Sequence, residues 1–323
     1  MTEAIPNPDN FCGGNFQDWL EVNLLKQCNA TCSWCIEKAG WHPKEVASWD
    51  KIVAAALETG RENIILLGGE PTLYRHLHDV IHYLNTAKRK VWITTNGSML
   101  TEDWTRENLY GIHGVNISLH HVSSFHNSMI TGLKLDYKAL SQSISALHDM
   151  DASVRLNCNC IALSVDSEDR IHKYIQFAKD LGADGVRFAE LKMDDDYFID
   201  LAKILDYKYD LNDDPFTLGC HKEAVIDGMP VNFRQMCGLQ TPLRPKPVNP
   251  KQATKQVLYY DGKIYNGWQL KEDKMTKGEI KKLMDKVAQG KITPEDAADL
   301  LKGEMEDSYD NGKSAGSGGG CVY

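Results

Sequence analysis

The sequence predicts an α/β fold built from parallel β/α units, and three observations predict it. Short apolar runs alternate with amphipathic stretches of ten to fifteen residues, six times over about 170 residues. That is the rhythm of strands joined by helical crossovers. The strand runs are apolar nearly throughout, as in a sheet covered by helices. Their polar exceptions gather at the C-terminal ends, the rim at which β/α barrels bind ligands.

Each element has its own signal. Glu21 to Leu25 reads as a first strand that ends before a cysteine-rich loop. Trp49 to Thr59 places Ile52, Ala55, Ala56 and Leu57 on one side and reads as a helix. Asn63 to Leu67 is a buried strand followed by Gly68-Gly69-Glu70-Pro71, and Leu77 to Asn85 is the next helix. Val91 to Thr95 is a strand that runs into Asn96-Gly97, a turn signal. Val115 to Leu119 is a strand and Tyr137 to Met150 an amphipathic helix. Val154 to Leu163, Ser167 to Leu181 and Val186 to Leu191 read as strand, helix and strand.

After about Asp195 the rhythm stops. Asp196 to Tyr209 reads as a helix. Thr217 to Gln240 holds Cys220, Cys237 and the turn signals Asp227-Gly228 and Cys237-Gly238. Leu243 to Pro250 is a proline-rich strap. Val257 to Trp268 reads as a β-hairpin around Asp261-Gly262. Lys277 to Met305 reads as a helical hairpin: Ile280, Leu283, Met284 and Val287 form one stripe, Gly290 ends it, and Thr293-Pro294 opens the second. Lys313 to Gly320 has a flexible-linker composition. These breaks divide the chain at 1–195, 196–270, 271–310 and 311–323.

Charge and composition narrow the function. The 323 residues carry 36 Lys and Arg against 45 Asp and Glu, a net charge of −9. That speaks against a nucleic-acid groove as the main surface. No apolar run is long enough to span a bilayer, and no signal peptide is visible at Met1 to Asn10. A cytoplasmic location is expected. The nine cysteines, an odd number, disfavour a disulfide framework. Cys28, Cys32 and Cys35 stand as C-x3-C-x2-C, a spacing of metal ligands. Zinc would want a fourth ligand and paired C-x2-C units. Three thiolates on one short loop suit a four-iron, four-sulfur ([4Fe–4S]) cluster with one iron left open. Cys158 and Cys160 alternate with Asn157 and Asn159, so they face the other side and read as buried, inert thiols.

Three motifs in order carry a resemblance. They are Cys28-Asn29-Ala30-Thr31-Cys32-Ser33-Trp34-Cys35, Gly68-Gly69-Glu70-Pro71 and Thr94-Thr95-Asn96-Gly97, each after a strand. With them the sequence resembles the radical SAM superfamily over roughly residues 20 to 195. The segment Val186-Arg187-Phe188-Ala189-Glu190 is similar to the branch of the molybdopterin GTP cyclase and the SPASM and twitch enzymes. The resemblance implies a partial (β/α)6, TIM-like barrel with a C-terminal β-hairpin extension and a helical hairpin. It implies a [4Fe–4S] cluster on Cys28, Cys32 and Cys35 and S-adenosyl-L-methionine as cofactor. One electron, from a flavodoxin- or ferredoxin-type reductant, would cleave that cofactor to methionine and a 5′-deoxyadenosyl radical, which takes a hydrogen atom from substrate.

By the same resemblance, the backbone at Trp34 lies near the adenine, and Gly68, Gly69, Glu70 and Pro71 line the methionine amino group. Thr95 and Asn96 join the cofactor-binding set. Ser118 contacts the cofactor, Asn157 or Asn159 meets its ribose or carboxylate, and Leu191 packs on the adenine. Arg187 either binds a substrate carboxylate or phosphate or pairs with Glu190. His120 and His121 read as structural or solvated. Cys220, Cys237 and Cys321 form a possible second cluster site, although Asn266-Gly267-Trp268 stands where such hairpins usually bring a cysteine. Alternatively Cys237 or Cys321 donates a hydrogen atom to a substrate radical. The expected function is hydrogen abstraction from a peptide or small-metabolite substrate. The alternatives are a nucleotide or deazapurine-type rearrangement, or a non-catalytic iron–sulfur binding protein.

Overall fold

The computed structural model describes residues 19–32, 34–35, 37, 42–162, 164–191, 198–213, 221–235 and 256–266, with isolated positions 286, 289, 291 and 293. The chain forms two compact units, Met1–Lys38 with His42–Gln269, and Ala39–Trp41 with Leu270–Tyr323. In the second, Lys286 stands in a helical turn and its carbonyl accepts the Lys291 N–H at 2.9 Å. The rest of the expected helical hairpin, the proline-rich strap and the C-terminal tail lie outside the described residues.

The first unit is a parallel sheet with helical crossovers. β1 (Trp19–Asn23), β2 (Asn63–Leu67), β3 (Lys90–Thr95), β4 (Gly114–Ser118), β5 (Ser153–Cys160) and β6 (Gly185–Glu190) lie side by side in chain order, all parallel. The crossovers carry α1 (Trp49–Glu58), α2 (Leu77–Thr86), α3 (Glu102–Asn108), α4 (Ser124–Thr131), α5 (Tyr137–His148) and α6 (Glu168–Leu181). Their caps are local. Asp136 and Ser167 accept backbone N–H groups at the starts of α5 and α6, and Gly182, at φ +93°, ends α6.

Two hairpins extend the sheet. β7 (His221–Ile226) and β8 (Met229–Arg234) pair antiparallel, and β8 lies parallel beside β6. β9 (Gln256–Leu258) and β10 (Ile264–Asn266) pair antiparallel, and β9 lies parallel beside β1. The order is β10-β9-β1-β2-β3-β4-β5-β6-β8-β7. Among the described residues the sheet does not close, which makes it a partial, TIM-like barrel.

Strand periodicity gives the sheet two different faces. Ile93, Val115 and Val154 stand in register, as do Ile117, Leu156, Val186 and Val231, and Phe188 with Phe233. All of these are at most 3% exposed and join one core with α1, α2, α5 and α6. The other face is polar and layered. Thr94, Asn116 and Arg155 form one row; Ser118, Asn157, Arg187 and Asn232 the next; Asn159, Ala189 and Arg234 the third. The polar residues therefore begin mid-strand rather than only at the strand ends. Cys158 and Cys160 are fully buried on the core face, as the alternation requires.

Three readings need correction. β1 runs from Trp19 to Asn23, not from Glu21 to Leu25, and Leu24 and Leu25 belong to the turn toward the cysteines. The helix expected over Asp196 to Tyr209 is only α7 (Leu201–Ile204). Asp206 and Tyr207 follow at φ +49° and +55°, in the left-handed region that a right-handed helix cannot use. Finally, α3, α4 and the strands of the β7–β8 hairpin had no counterpart in the sequence reading.

Candidate functional site

The cysteine loop is built on the end of β2. Beyond the β1–β2 ladder, Leu24 N–H reaches the Leu67 carbonyl at 3.0 Å, Gly69 N–H the Leu25 carbonyl at 2.8 Å, and Glu70 N–H the Gln27 carbonyl at 2.8 Å. This pairing carries the chain to Cys28. It also explains the glycines. A Cβ at Gly69 would fall 2.2 Å from the Gln27 carbonyl oxygen and 2.3 Å from that of Lys26. At Gly68, φ is +149° and a Cβ would lie 2.6 Å from the Leu25 carbonyl oxygen. The close approach these glycines permit is to the loop's own backbone.

Glu70 joins the ends of β2 and β3. It is 1% exposed. Its Oε1 accepts from Thr72 N at 3.1 Å, Thr72 Oγ1 at 2.5 Å and Thr95 Oγ1 at 2.6 Å, and its Oε2 from Asn96 N at 2.7 Å. Burial raises its pKa, and these hydrogen bonds pull it back. Asn96 then reaches the cysteine loop. Its Nδ2 donates to Asn29 Oδ1 at 2.8 Å and stands 3.9 Å from Cys28 Sγ. Asn29 Nδ2 donates to Ser98 Oγ at 2.8 Å, and Ser98 N–H donates back to Asn96 Oδ1 at 2.9 Å. On the far side, Thr31 N–H donates to the Thr131 carbonyl at 2.8 Å, at the end of α4.

Within this frame Cys28, Cys32 and Cys35 are half-buried thiols outside any disulfide. Cys28 Sγ accepts the Ala30 N–H at 3.3 Å. Burial pushes its pKa up, and the negative charges of Glu70 and Cys35 push the same way. A thiolate so placed calls for a neighbouring cation, which ligation to iron supplies. Among the described residues, no three His, Cys, Asp or Glu side chains are grouped as one metal ion would need. A cubane asks for something else, one thiolate at each of three separate corners. Three thiols on one short loop are the donor chemistry of a [4Fe–4S] cluster with one iron left open.

The remaining predicted residues among those described lie in the cysteine loop, on β4 to β6 or just beyond these strands. Trp34, half-buried, meets His120 edge-on, ring centroids 5.6 Å apart. His120 is structural: Asn159 N–H donates to its Nδ1 at 3.2 Å, its own N–H donates to Asn127 Oδ1 at 2.8 Å, and Ser164 Oγ donates to its carbonyl. Burial lowers its pKa to about 4, so the ring is neutral, with the proton on Nε2. His121 Nδ1 accepts the Ser123 N–H at 2.9 Å. Ser118, Asn157 and Asn159 share the polar face of the sheet. Leu191, 4% exposed, follows the end of β6. Arg187 Nε donates to Asn232 Oδ1 at 3.1 Å. Glu190, on the opposite face, accepts the Leu201 N–H at 2.9 Å and caps the short α7. Cys220, Cys237 and Cys321 lie outside the described residues.

Sequence reasoning missed a second tie behind the last cysteine. Asn23 Nδ2 lies 3.2 and 3.3 Å from the two carboxylate oxygens of Glu37, and His42 Nε2 lies 2.6 Å from the Glu37 carbonyl. His42 stacks on Tyr260, which follows β9, and Tyr260 OH donates to the Pro43 carbonyl at 3.1 Å. Burial raises the Glu37 pKa to about 7, against the opposing pull of Asn23 and Lys26. Asn23, Asn29, Thr31, Glu37 and Ser98 are ordinary polar residues in sequence, and only their partners reveal them.

Comparison with known proteins agrees with this arrangement. A family model described as the Radical SAM superfamily matches residues 22–179. Molybdenum cofactor biosynthesis protein 1 of Dictyostelium discoideum is 25% identical over 208 residues, covering 59% of this chain and 32% of that protein. A probable GTP 3′,8-cyclase of Saccharolobus islandicus (strain M.14.25 / Kamchatka #1) is 27% identical over 176 residues, covering 53% and 56%. The mitochondrial GTP 3′,8-cyclase of Arabidopsis thaliana is 26% identical over 202 residues, covering 60% and 51%. The chain thus spans about a third to about half the length of these curated relatives. Among solved structures, Streptococcus suis SuiB bound to S-adenosylmethionine shares the fold, with a TM-score of 0.54 and 18% identity over 77% of this chain and 58% of that one. The matched span, just under half of the chain, contains all three loop cysteines and both strand-end motifs, and over that span the chain matches the radical SAM superfamily.

Proposed function

We propose that this chain is an enzyme that abstracts hydrogen from a peptide or small-metabolite substrate. A [4Fe–4S] cluster on Cys28, Cys32 and Cys35, with S-adenosyl-L-methionine beside it, would supply a 5′-deoxyadenosyl radical upon one-electron reduction. The protein's part is to bind, orient and exclude water. Gly68 to Pro71 and Thr95-Asn96 shape the wall beside Cys28. Glu70 Oε2, with one protein donor against three on Oε1, has capacity for a cofactor ammonium. Ser118, Asn157 and Asn159 offer polar contacts to the cofactor, while Trp34 and Leu191 flank its base. Arg187 would meet an acidic group of the substrate.

The observation that carries this reading is the loop of three thiols, none in a disulfide, pinned at Cys28 between Gly69-Glu70 and Asn96. The test is anaerobic reconstitution, with iron counted per chain and 5′-deoxyadenosine measured after addition of dithionite and S-adenosyl-L-methionine. Iron loading without 5′-deoxyadenosine would leave the non-catalytic binding protein instead. A nucleotide substrate is the second reading. It is favoured by the curated cyclase relatives and by Arg155 and Arg187 on the polar face. Binding of GTP, measured calorimetrically, separates it from peptide modification. Cys220, Cys237 and Cys321 would hold a second cluster, or Cys237 or Cys321 would donate a hydrogen atom; iron content and product of Cys321→Ala distinguish these roles. Such chemistry requires a flavodoxin- or ferredoxin-type donor and a reducing cytoplasm. Among the described residues, no helix is long and apolar enough to cross a membrane.

A further inference from the structure

One surface beside the cysteine loop has no part in the site described above. α4 turns Asn127 and Thr131 inward and sets Phe125 (66% exposed) and Met129 (73%) outward, with Val122 (38%) just ahead of the helix. Positions 125 and 129, four apart, fall on one helical stripe. The last turn of this helix touches the cysteine loop. The Thr131 carbonyl takes the Thr31 N–H at 2.8 Å, and a Cβ on Gly132 would meet Thr31 Oγ1 at 2.3 Å. Thr31 is itself exposed and is the residue before Cys32.

The stripe also stands out by charge. No Asp or Glu occurs from Asn108 to Leu135, in a chain that carries 45 of them, while Lys134 lies within that span. Asp136, the next acid, is engaged in capping α5 through bonds of 2.9 and 3.4 Å to Lys138 and Ala139 N–H. Arg170, which acts on His121, is paired with Asp166 at 2.9 Å. An apolar pair on a stretch of chain without carboxylates, in an otherwise acidic protein, suits a transient partner of negative charge.

We propose that this face of α4 is the docking surface for an acidic one-electron donor protein. The inference rests on the function proposed above, since a cluster in this loop must be reduced from outside. The donor loses one electron, the cluster gains it, and no covalent bond changes in that step. Docking here brings the donor within one loop residue of a cluster ligand.

The experiment compares two reductants on the reconstituted full chain. A flavodoxin reduced by its NADPH-dependent reductase is the probe and dithionite the control, with bleaching of the cluster's visible absorption as the readout. Phe125→Glu combined with Met129→Glu is expected to slow reduction by flavodoxin about tenfold or more and to leave dithionite reduction unchanged. Phe125→Leu with Met129→Leu retains the parental rate. Added salt slows the flavodoxin reaction of the parent more than the dithionite one. Equal flavodoxin rates in the parent and the Glu variant overturn the proposal. So does equal slowing with both reductants, or a parental dimer that the Glu variant dissolves. If clusters bleach at these rates but the parent forms no 5′-deoxyadenosine, the enzyme reading fails and the docking surface stands.

Discussion

At the scale of single residues, backbone contact rather than side-chain chemistry decides several identities. Gly69→Ala would put a methyl group 2.2 Å from a carbonyl oxygen of the chain entering Cys28, and backbone cannot swing aside. The variant is expected to fold yet hold less iron per chain after reconstitution; parental iron content would refute this. Glu70→Gln keeps the shape but must turn an amide nitrogen toward a backbone donor, either Thr72 N–H or Asn96 N–H. One buried N–H then loses its acceptor, at a cost of about 1–3 kcal/mol in urea unfolding. His120 sets a pH dependence. Its folded pKa of about 4 lies below the ordinary value, so the unfolded chain takes up the proton first as the medium becomes acidic. Stability is intact above about pH 6.5 and falls as pH drops toward 4, by about 3 kcal/mol in all. Urea unfolding at both ends of that range checks the slope, which His120→Gln should flatten. The cysteines and the Gly-Gly-Glu-Pro and Thr-Thr-Asn-Gly runs were legible because those residue types are dense and specific. Asn29 and Thr31 were not, because their partners stand 69 and 100 positions away.

At the scale of elements, the alternation of apolar strands and amphipathic helices was legible from β2 to β6, with boundaries within about two residues apart from the end of β5. The period was the signal, and the long helices carry it strongly. α3 and α4 are seven and eight residues long, too short for a period to declare itself. The β7–β8 hairpin announced only its Asp227-Gly228 turn. β7 is an edge strand with few buried positions, so it lacks the apolar run that marks a strand. Phe233 secures this hairpin, stacking on Phe188 and Tyr209 at 5.9 and 5.6 Å. The other hairpin is secured through Tyr260. Tyr260→Phe removes the bond to the Pro43 carbonyl and is expected to cost about 1 kcal/mol. Because the Ala47 N–H donates to the Tyr260 carbonyl at 2.8 Å, amide exchange at Ala47 is the local readout and should quicken.

At the scale of the whole molecule, the cysteine loop is a junction. The ends of β2 and β3, the last turn of α4 and the segment after β9 all reach it or its flanks. A cluster bound there should stabilise the folded chain alone, since the unfolded chain lacks the arrangement. Loading iron anaerobically is expected to raise the thermal midpoint by several degrees, and chelation to reverse it; an unmoved midpoint would show that the loop is uncoupled from the fold. The placement of β9 beside β1 has a further consequence for biosynthesis. Tyr260 and Pro43 are 217 positions apart, and β1 stays unpaired along one edge until β9 has left the ribosome. Throughout translation, the strand that leads into the metal loop is therefore an open template for strangers. Truncated nascent chains should aggregate there, which makes prompt completion of the polypeptide, or a chaperone on that edge, a condition for a sound metal site.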